Sequence, residues 1–133
     1  NFVNYLADTF TECQFVGVEL SKHNIKFAEE GSMGSENVQF IQGDVAQYLS
    51  HADPFQPDDL IIVDPPRSGL SPEALSALIE SAPHQLVYIS CDPMTLKRDL
   101  GHLLETGLKA QFLQPLDMFP QTDHIESVCY LIR

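Results

Sequence analysis

Helix-like and strand-like hydrophobic periods alternate along all 133 residues, with no internal repeat and no low-complexity tract. That alternation is the pattern of an α/β domain built on a largely parallel sheet. The opening segment NFVNYLADTF spaces Phe2, Leu6 and Phe10 four apart and reads as a helix already under way. QFVGVE (14–19) reads as a strand, SKHNIKFAEE as a helix opened by Ser21 and closed near Gly31, and VQFIQGD as a second strand. A short helix near 45–50 precedes the loop HADPFQPDD. LIIVD (60–64), apolar and β-branched, is expected to be buried on both faces near the sheet centre.

Ser71 at the cap, Pro72 at the first helical position and apolar residues at helical spacing mark SPEALSALIES as a helix. LVYIS (86–90) is a fourth strand, DPMTLKRDLGHLLETG a helix ending at Gly107, and 108–116 and 125–132 are two last strands that pair antiparallel. A doubly wound sheet binds its ligand beyond the carboxyl ends of its strands, so the turns opened by Glu19, Asp44, Asp64 and Cys91 are where chemistry is sought. One acid after a strand is commonplace, because Asp also caps helices. Three acids after three successive strands favour a site.

Composition narrows the setting. A 44% hydrophobic chain of this length suits one domain with one core. No run of about 18 apolar residues and no basic-then-apolar leader is present, so neither a membrane span nor a secretion signal is expected. The three cysteines Cys13, Cys91 and Cys129 are odd in number and widely separated. They fit a reduced, cytoplasmic environment and form no metal or cluster ligand set. Seven Lys plus Arg against 19 Asp plus Glu give a net charge of −12, which repels polyanions.

A glycine-rich turn after a first strand, which would set backbone N–H groups against a cofactor, is absent from the sequence. A Rossmann-like domain that opens on the helix after its first strand lacks a central strand. The chain therefore reads as a fragment whose first strand and glycine motif lie upstream.

Cys91 ends a strand and precedes a helix, where the helix N-terminus favours a thiolate. A phosphate-binding cysteine loop needs Arg six positions on, but Lys97 stands there and Arg98 comes one later; a redox pair needs a second Cys where Met94 stands. A nucleophile is the reading left, with a small buried apolar residue as its structural alternative. Glu126, beside His124 in FPQTDHIES, is a candidate base; its bland reading is an exposed charge on an edge strand. The prolines of DPPRSGL stiffen the turn that fixes Asp64 and presents Arg67. Acidic-Pro-Pro turns of amino-methylating enzymes carry an aromatic next, and here Arg67 follows, a candidate phosphate or carboxylate contact.

Taken together, DPPRSGL, ISCDPMTLKRDL and LDMFPQTDHIESV closely resemble the signature segments of the RNA uracil-5-methyltransferases, which act on tRNA or large-subunit rRNA. The resemblance runs in family order over nearly the whole chain. It implies a Rossmann-like class I methyltransferase sheet, S-adenosylmethionine as cofactor, and 5-methyluridine as product. It also implies that Cys91 adds to carbon 6 of a flipped-out uracil and that Glu126 removes the carbon 5 proton. By the same matching Glu19 holds the cofactor ribose, Asp44 lies by its adenine, Asp64 lies by its methionine end, and Asn1 makes a further contact. His124 accompanies Arg67 on the substrate side. Position 92 is Asp where the family commonly has Asn.

The family's small N-terminal β-barrel would bring the RNA contacts that the acidic charge denies, so RNA is expected as a partner of the full-length protein. Iron–sulfur cysteine sets of some members have no counterpart here. Two alternatives stay open at this stage: an amine or small-molecule methyltransferase with a structural Cys91, and a non-enzymatic RNA-binding module, which the charge disfavours.

Overall fold

A computed structural model describes residues 2–32, 35–122 and 124–133. Eleven elements follow in order: α1 (Phe2–Thr9), β1 (Phe15–Glu19), α2 (Lys22–Gly31), β2 (Val38–Gln42), α3 (Val45–His51), β3 (Leu60–Val63), α4 (Pro72–Glu80), β4 (Gln85–Ser90), α5 (Pro93–Glu105), β5 (Lys109–Leu116) and β6 (Glu126–Ile132). Their kinds and order are those the hydrophobic periods predict. They fall into two compact units, Asn1–His51 and Ala52–Arg133.

In the first unit β1 and β2 pair in parallel, with Phe15 opposite Val38 and Glu19 opposite Gln42. Ser21 caps α2 by accepting from the Asn24 N–H at 3.3 Å, and Ile25 and Ala28 form the buried stripe of that helix. α1 is the helix that the Phe2, Leu6 and Phe10 spacing predicts, although Phe2 and Phe10 are 54% and 53% exposed and Ala7 is the buried residue of the helix. The helix instead turns Val3 toward β1, where a side chain at Gly17 would meet Val3 and the Phe40 ring. Gly17 thus leaves the room those apolar groups occupy.

In the second unit the strand order is β3-β4-β6-β5, with β3 and β4 parallel and β6 antiparallel to both its neighbours. The antiparallel final pair agrees with the sequence. Buried residues of β4 and β6 meet as cross-strand partners: Leu86 with Leu131, Tyr88 with Cys129, and Ser90 with Ser127. With Leu78 and Leu103 these make the core, each Leu contributing on the order of 2 kcal/mol by burial. α5 closes where Gly107 takes a left-handed φ of 95°, a conformation glycine adopts without a Cβ clash.

One expectation about the sheet fails. LIIVD is not a central strand buried on both faces: β3 ends at Val63, is an edge of its sheet, and exposes Leu60 at 48% and Ile62 at 38%. Its only ladder among the described residues is to β4, and the β1–β2 pair forms a separate sheet. An apolar β-branched run reports a preference for cover and not the number of strands that provide it.

Candidate active site

The two units carry different parts of the predicted residue set. In the first, Glu19 and Asp44 stand at the carboxyl ends of neighbouring parallel strands, tied together by the Gly43 N–H donating to the Glu19 carbonyl at 3.0 Å. Glu19 is half-buried, and its Oε1 accepts from the Ser21 N–H at 2.7 Å. Asp44 is exposed, and its Oδ1 caps α3 by accepting from the Gln47 N–H at 3.0 Å. The capping role weighed for Asp44 is therefore real. Each carboxylate commits one oxygen to the following turn, which fixes its direction. A carboxylate pair held this way is chemically suited to accept from hydroxyl and amino donors of a nucleoside. Asn1 lies outside the described residues. An open concavity of about 670 Å³ beside α2, lined by Lys22, Lys26, Phe40 and Gln42 among others, includes none of the predicted residues.

In the second unit the β4–β6 ladder sets the geometry. Its last pair is Ser90 with Ser127, so the chain leaves β4 at Cys91 and enters β6 at Glu126 on the same end of the sheet. Both residues are half-buried. The bland reading of Glu126 as an exposed edge-strand charge does not hold, because β6 lies between β4 and β5 and Glu126 itself pairs with Leu116. His124 is exposed, with its ring edge-on to Phe119 at 6.3 Å.

The turn after Cys91 is built by Ser90 and Asp92. The Ser90 hydroxyl donates to the Asp92 carbonyl at 2.9 Å and accepts from the Asp92 N–H at 3.1 Å. Asp92 is the N-cap of α5, its Oδ1 accepting from the Met94 and Thr95 N–H groups at 2.9 and 3.1 Å. These bonds, with help from the positive charge of Arg67, hold the Asp92 carboxyl below the usual range. The expectation that the helix N-terminus serves Cys91 is modified accordingly. Asp92, not Cys91, takes the Met94 and Thr95 N–H groups at that helix start.

Asp64 follows β3, and partial burial pushes its carboxyl above the ordinary value although its residue surface is largely exposed. The following turn closes with the Gly69 N–H donating to the Pro66 carbonyl at 2.8 Å. Arg67 is exposed, and its carbonyl accepts from the Thr95 hydroxyl at 3.1 Å. The two free thiols outside the site differ: Cys13 is exposed, while Cys129 is buried and burial pushes its thiol up.

Sequence reasoning missed the most heavily bonded group of this unit. Asp99 is fully buried and accepts from the Tyr88 hydroxyl at 2.5 Å, the Leu70 N–H at 2.9 Å and the Arg98 Nε at 2.8 Å. Burial alone would raise its carboxyl, but the bonds from Arg98, Tyr88 and Leu70 outweigh burial and hold it low. Tyr88 is pushed well above its ordinary value by burial first and by Asp99 second. A signal was present: Leu96, Asp99 and Leu103 form one buried stripe of α5, so an acid occupies an apolar row.

Comparison with known proteins bears on both units. A family model described as tRNA (uracil-5-)-methyltransferase matches residues 1–133. An uncharacterised RNA methyltransferase of Enterococcus faecalis is 41% identical over 124 residues, covering 90% of this chain and 27% of that protein. One from Thermotoga maritima is 35% identical over 127 residues, covering 94% and 28%. The structure of Pyrococcus abyssi tRNA (uracil-54, C5)-methyltransferase in complex with S-adenosyl-L-homocysteine superposes with a TM-score of 0.80 at 30% identity, covering 98% of this chain and 31% of that one. Aeropyrum pernix fibrillarin, with a TM-score of 0.62 at 17% identity, shares the fold. The fold is that of the Rossmann-like class I methyltransferases. The chain spans between a quarter and a third of the length of the relatives named from Enterococcus, Thermotoga and Pyrococcus.

Proposed function

The chain belongs to the tRNA (uracil-5-)-methyltransferase family, and from that premise we propose that it forms the catalytic part of an enzyme that methylates carbon 5 of a uridine in RNA. Cys91 is the nucleophile and Glu126 the base. The observation that carries this reading is the β4–β6 register, whose last pair, Ser90 with Ser127, leaves a thiol and a carboxylate on adjacent strand ends. Uracil carbon 5 is a poor nucleophile until the ring is made enolate-like, and a thiol with a base beside it meets that need.

S-adenosylmethionine, when bound, supplies an electrophilic methyl group on a sulfonium sulfur. Glu19 and Asp44 are the residues that would hold its nucleoside, and Asp64 its methionine end. Their chemistry fits: two acceptors at strand ends, each oriented by a backbone N–H, meet a group rich in hydroxyl and amino donors.

The Cys91 thiolate forms a bond to carbon 6, and the displaced electrons move through carbon 5 to the carbon 4 oxygen. Carbon 5 would then take the methyl group, the electron pair of the broken sulfur–methyl bond staying on sulfur as a neutral thioether leaves. Glu126 accepts the carbon 5 proton, the ring becomes an enolate again, and the carbon 6–sulfur bond breaks to restore the double bond and release the thiolate. Arg67 and His124, both exposed, would meet the RNA around the flipped base.

The test uses the full-length protein with S-adenosylmethionine and RNA containing 5-fluorouridine, whose fluorine cannot leave as a proton does. A covalent adduct mapping to Cys91 by mass spectrometry is the expected result, lost in Cys91→Ala. Glu126→Gln should accumulate the adduct on ordinary RNA, because the proton stays on carbon 5. Absence of any adduct on tRNA and rRNA, with methyl transfer surviving in Cys91→Ala, would replace this reading by the amine-methylating one.

A further inference from the structure

α5 holds the turn after Asp64 by its backbone. The Thr95 hydroxyl shares its proton between the Arg67 and Asp92 carbonyls, each at 3.1 Å, Arg98 Nη2 donates to the Ser68 and Leu70 carbonyls at 3.1 Å each, and the Leu70 N–H donates to Asp99 at 2.9 Å. Arg98 also pairs with Asp99 at 2.8 Å, and Tyr88 of β4 closes the set from beneath. Gly69 makes the approach possible. Its φ is 76°, and a Cβ there would lie 2.6 Å from Arg98 Nη2 and 2.7 Å from an Asp99 oxygen.

This arrangement is poorly explained by stability alone. Asp99 occupies an apolar row of α5, where a leucine would pack without desolvating a charge. Its partners are the Leu70 N–H of that turn, Arg98, which itself binds two carbonyls of the turn, and the Tyr88 hydroxyl. The same helix starts two residues after Cys91 and carries the Asp92 cap. Cys91 and the Asp64–Leu70 turn therefore hang from one rigid element.

We infer that Asp99, Arg98 and Thr95 are positioning residues that register the Asp64–Arg67 turn against Cys91, so that α5 sets the relative geometry of the methyl-donor side and the nucleophile. The inference rests on the proposed uracil-methylating role. None of the three touches a reacting atom. Their effect passes through the turn, and a misplacement of the order of 1 Å in such a site costs up to about a hundredfold in rate.

The experiment compares the full-length wild type with Arg98→Lys, Thr95→Val and Thr95→Ser. Lysine keeps the charge but offers a point donor where the guanidinium fork spans two carbonyls and Asp99. Thr95→Val removes only a hydroxyl, and Ser restores it, so this pair keeps the test open if Arg98→Lys fails to fold. Hydrogen exchange at the Leu70 amide should rise about tenfold in Arg98→Lys, and kcat for RNA methylation should fall about tenfold or more at unchanged RNA affinity. Thr95→Val should lower kcat in the same way, and Thr95→Ser should recover it. Variants that loosen the turn yet keep wild-type kcat overturn the positioning role, as do variants in which Leu70 exchange stays at the wild-type rate. A wild type that methylates no RNA is a different failure: it removes the uracil-methylating reading itself, and this inference with it.

Discussion

Asp92 shows how one residue fixes the start of the helix that follows the candidate nucleophile. Its carboxylate caps α5 by accepting from the Met94 and Thr95 N–H groups, and those bonds hold the carboxyl below the usual range. Asp92→Ala removes both bonds and should lower the denaturant midpoint, whereas Asp92→Asn keeps an oxygen to accept from both N–H groups and should stay near the wild type. Denaturant unfolding of the two variants would check it. A midpoint for Asp92→Ala equal to that of the wild type would mean that the cap does not stabilise the helix.

At the scale of elements, caps and stops decide where each side chain starts. Ser21 and Ser71 were both legible as N-caps, because a short acceptor before an apolar-periodic run has few other uses, whereas the Asp92 cap of α5 emerged only in the structure. Gly107 was equally legible as the end of α5. Its φ of 95° requires a residue without a Cβ penalty, and nothing within 4 Å would obstruct a methyl group there. Gly107→Ala should therefore destabilise by about 1 kcal/mol through backbone strain alone. Denaturant unfolding would read this as a lower midpoint at unchanged slope. A stability equal to the wild type would show that the chain relaxes out of the left-handed conformation at no cost.

At the scale of the whole molecule, charge governs what the chain can grip. Nineteen acidic against seven basic residues leave a net charge of −12, and two of the seven cations, Lys26 and Arg98, are paired with Glu30 and Asp99. Phosphate contacts dominate affinity for nucleic acid. The 133-residue chain on its own should leave tRNA unretained in filter binding at roughly 0.1 M salt, whereas the full-length protein retains it. Salt-sensitive micromolar binding by the isolated chain would refute this and move the RNA contacts onto these residues.

The order and kind of every element, the acids after the strands and the cysteine between strand and helix all followed from the sequence alone. Each depends on interactions a few residues apart: hydrophobic period, capping, and the backbone limits of proline and glycine. Tertiary structure decided what short-range rules do not reach. The antiparallel register of β4 with β6 sets Cys91 and Glu126 on one sheet end, and it comes from long-range pairing of Leu86 with Leu131 and Tyr88 with Cys129. The edge position of β3 depends on which strands pair with it, which its apolar composition does not encode. Asp99 reads in the sequence only as an acid in an apolar stripe. Its meaning lies in Tyr88, Arg98 and the Leu70 N–H, because a buried carboxylate is stable only where folding brings enough donors to it.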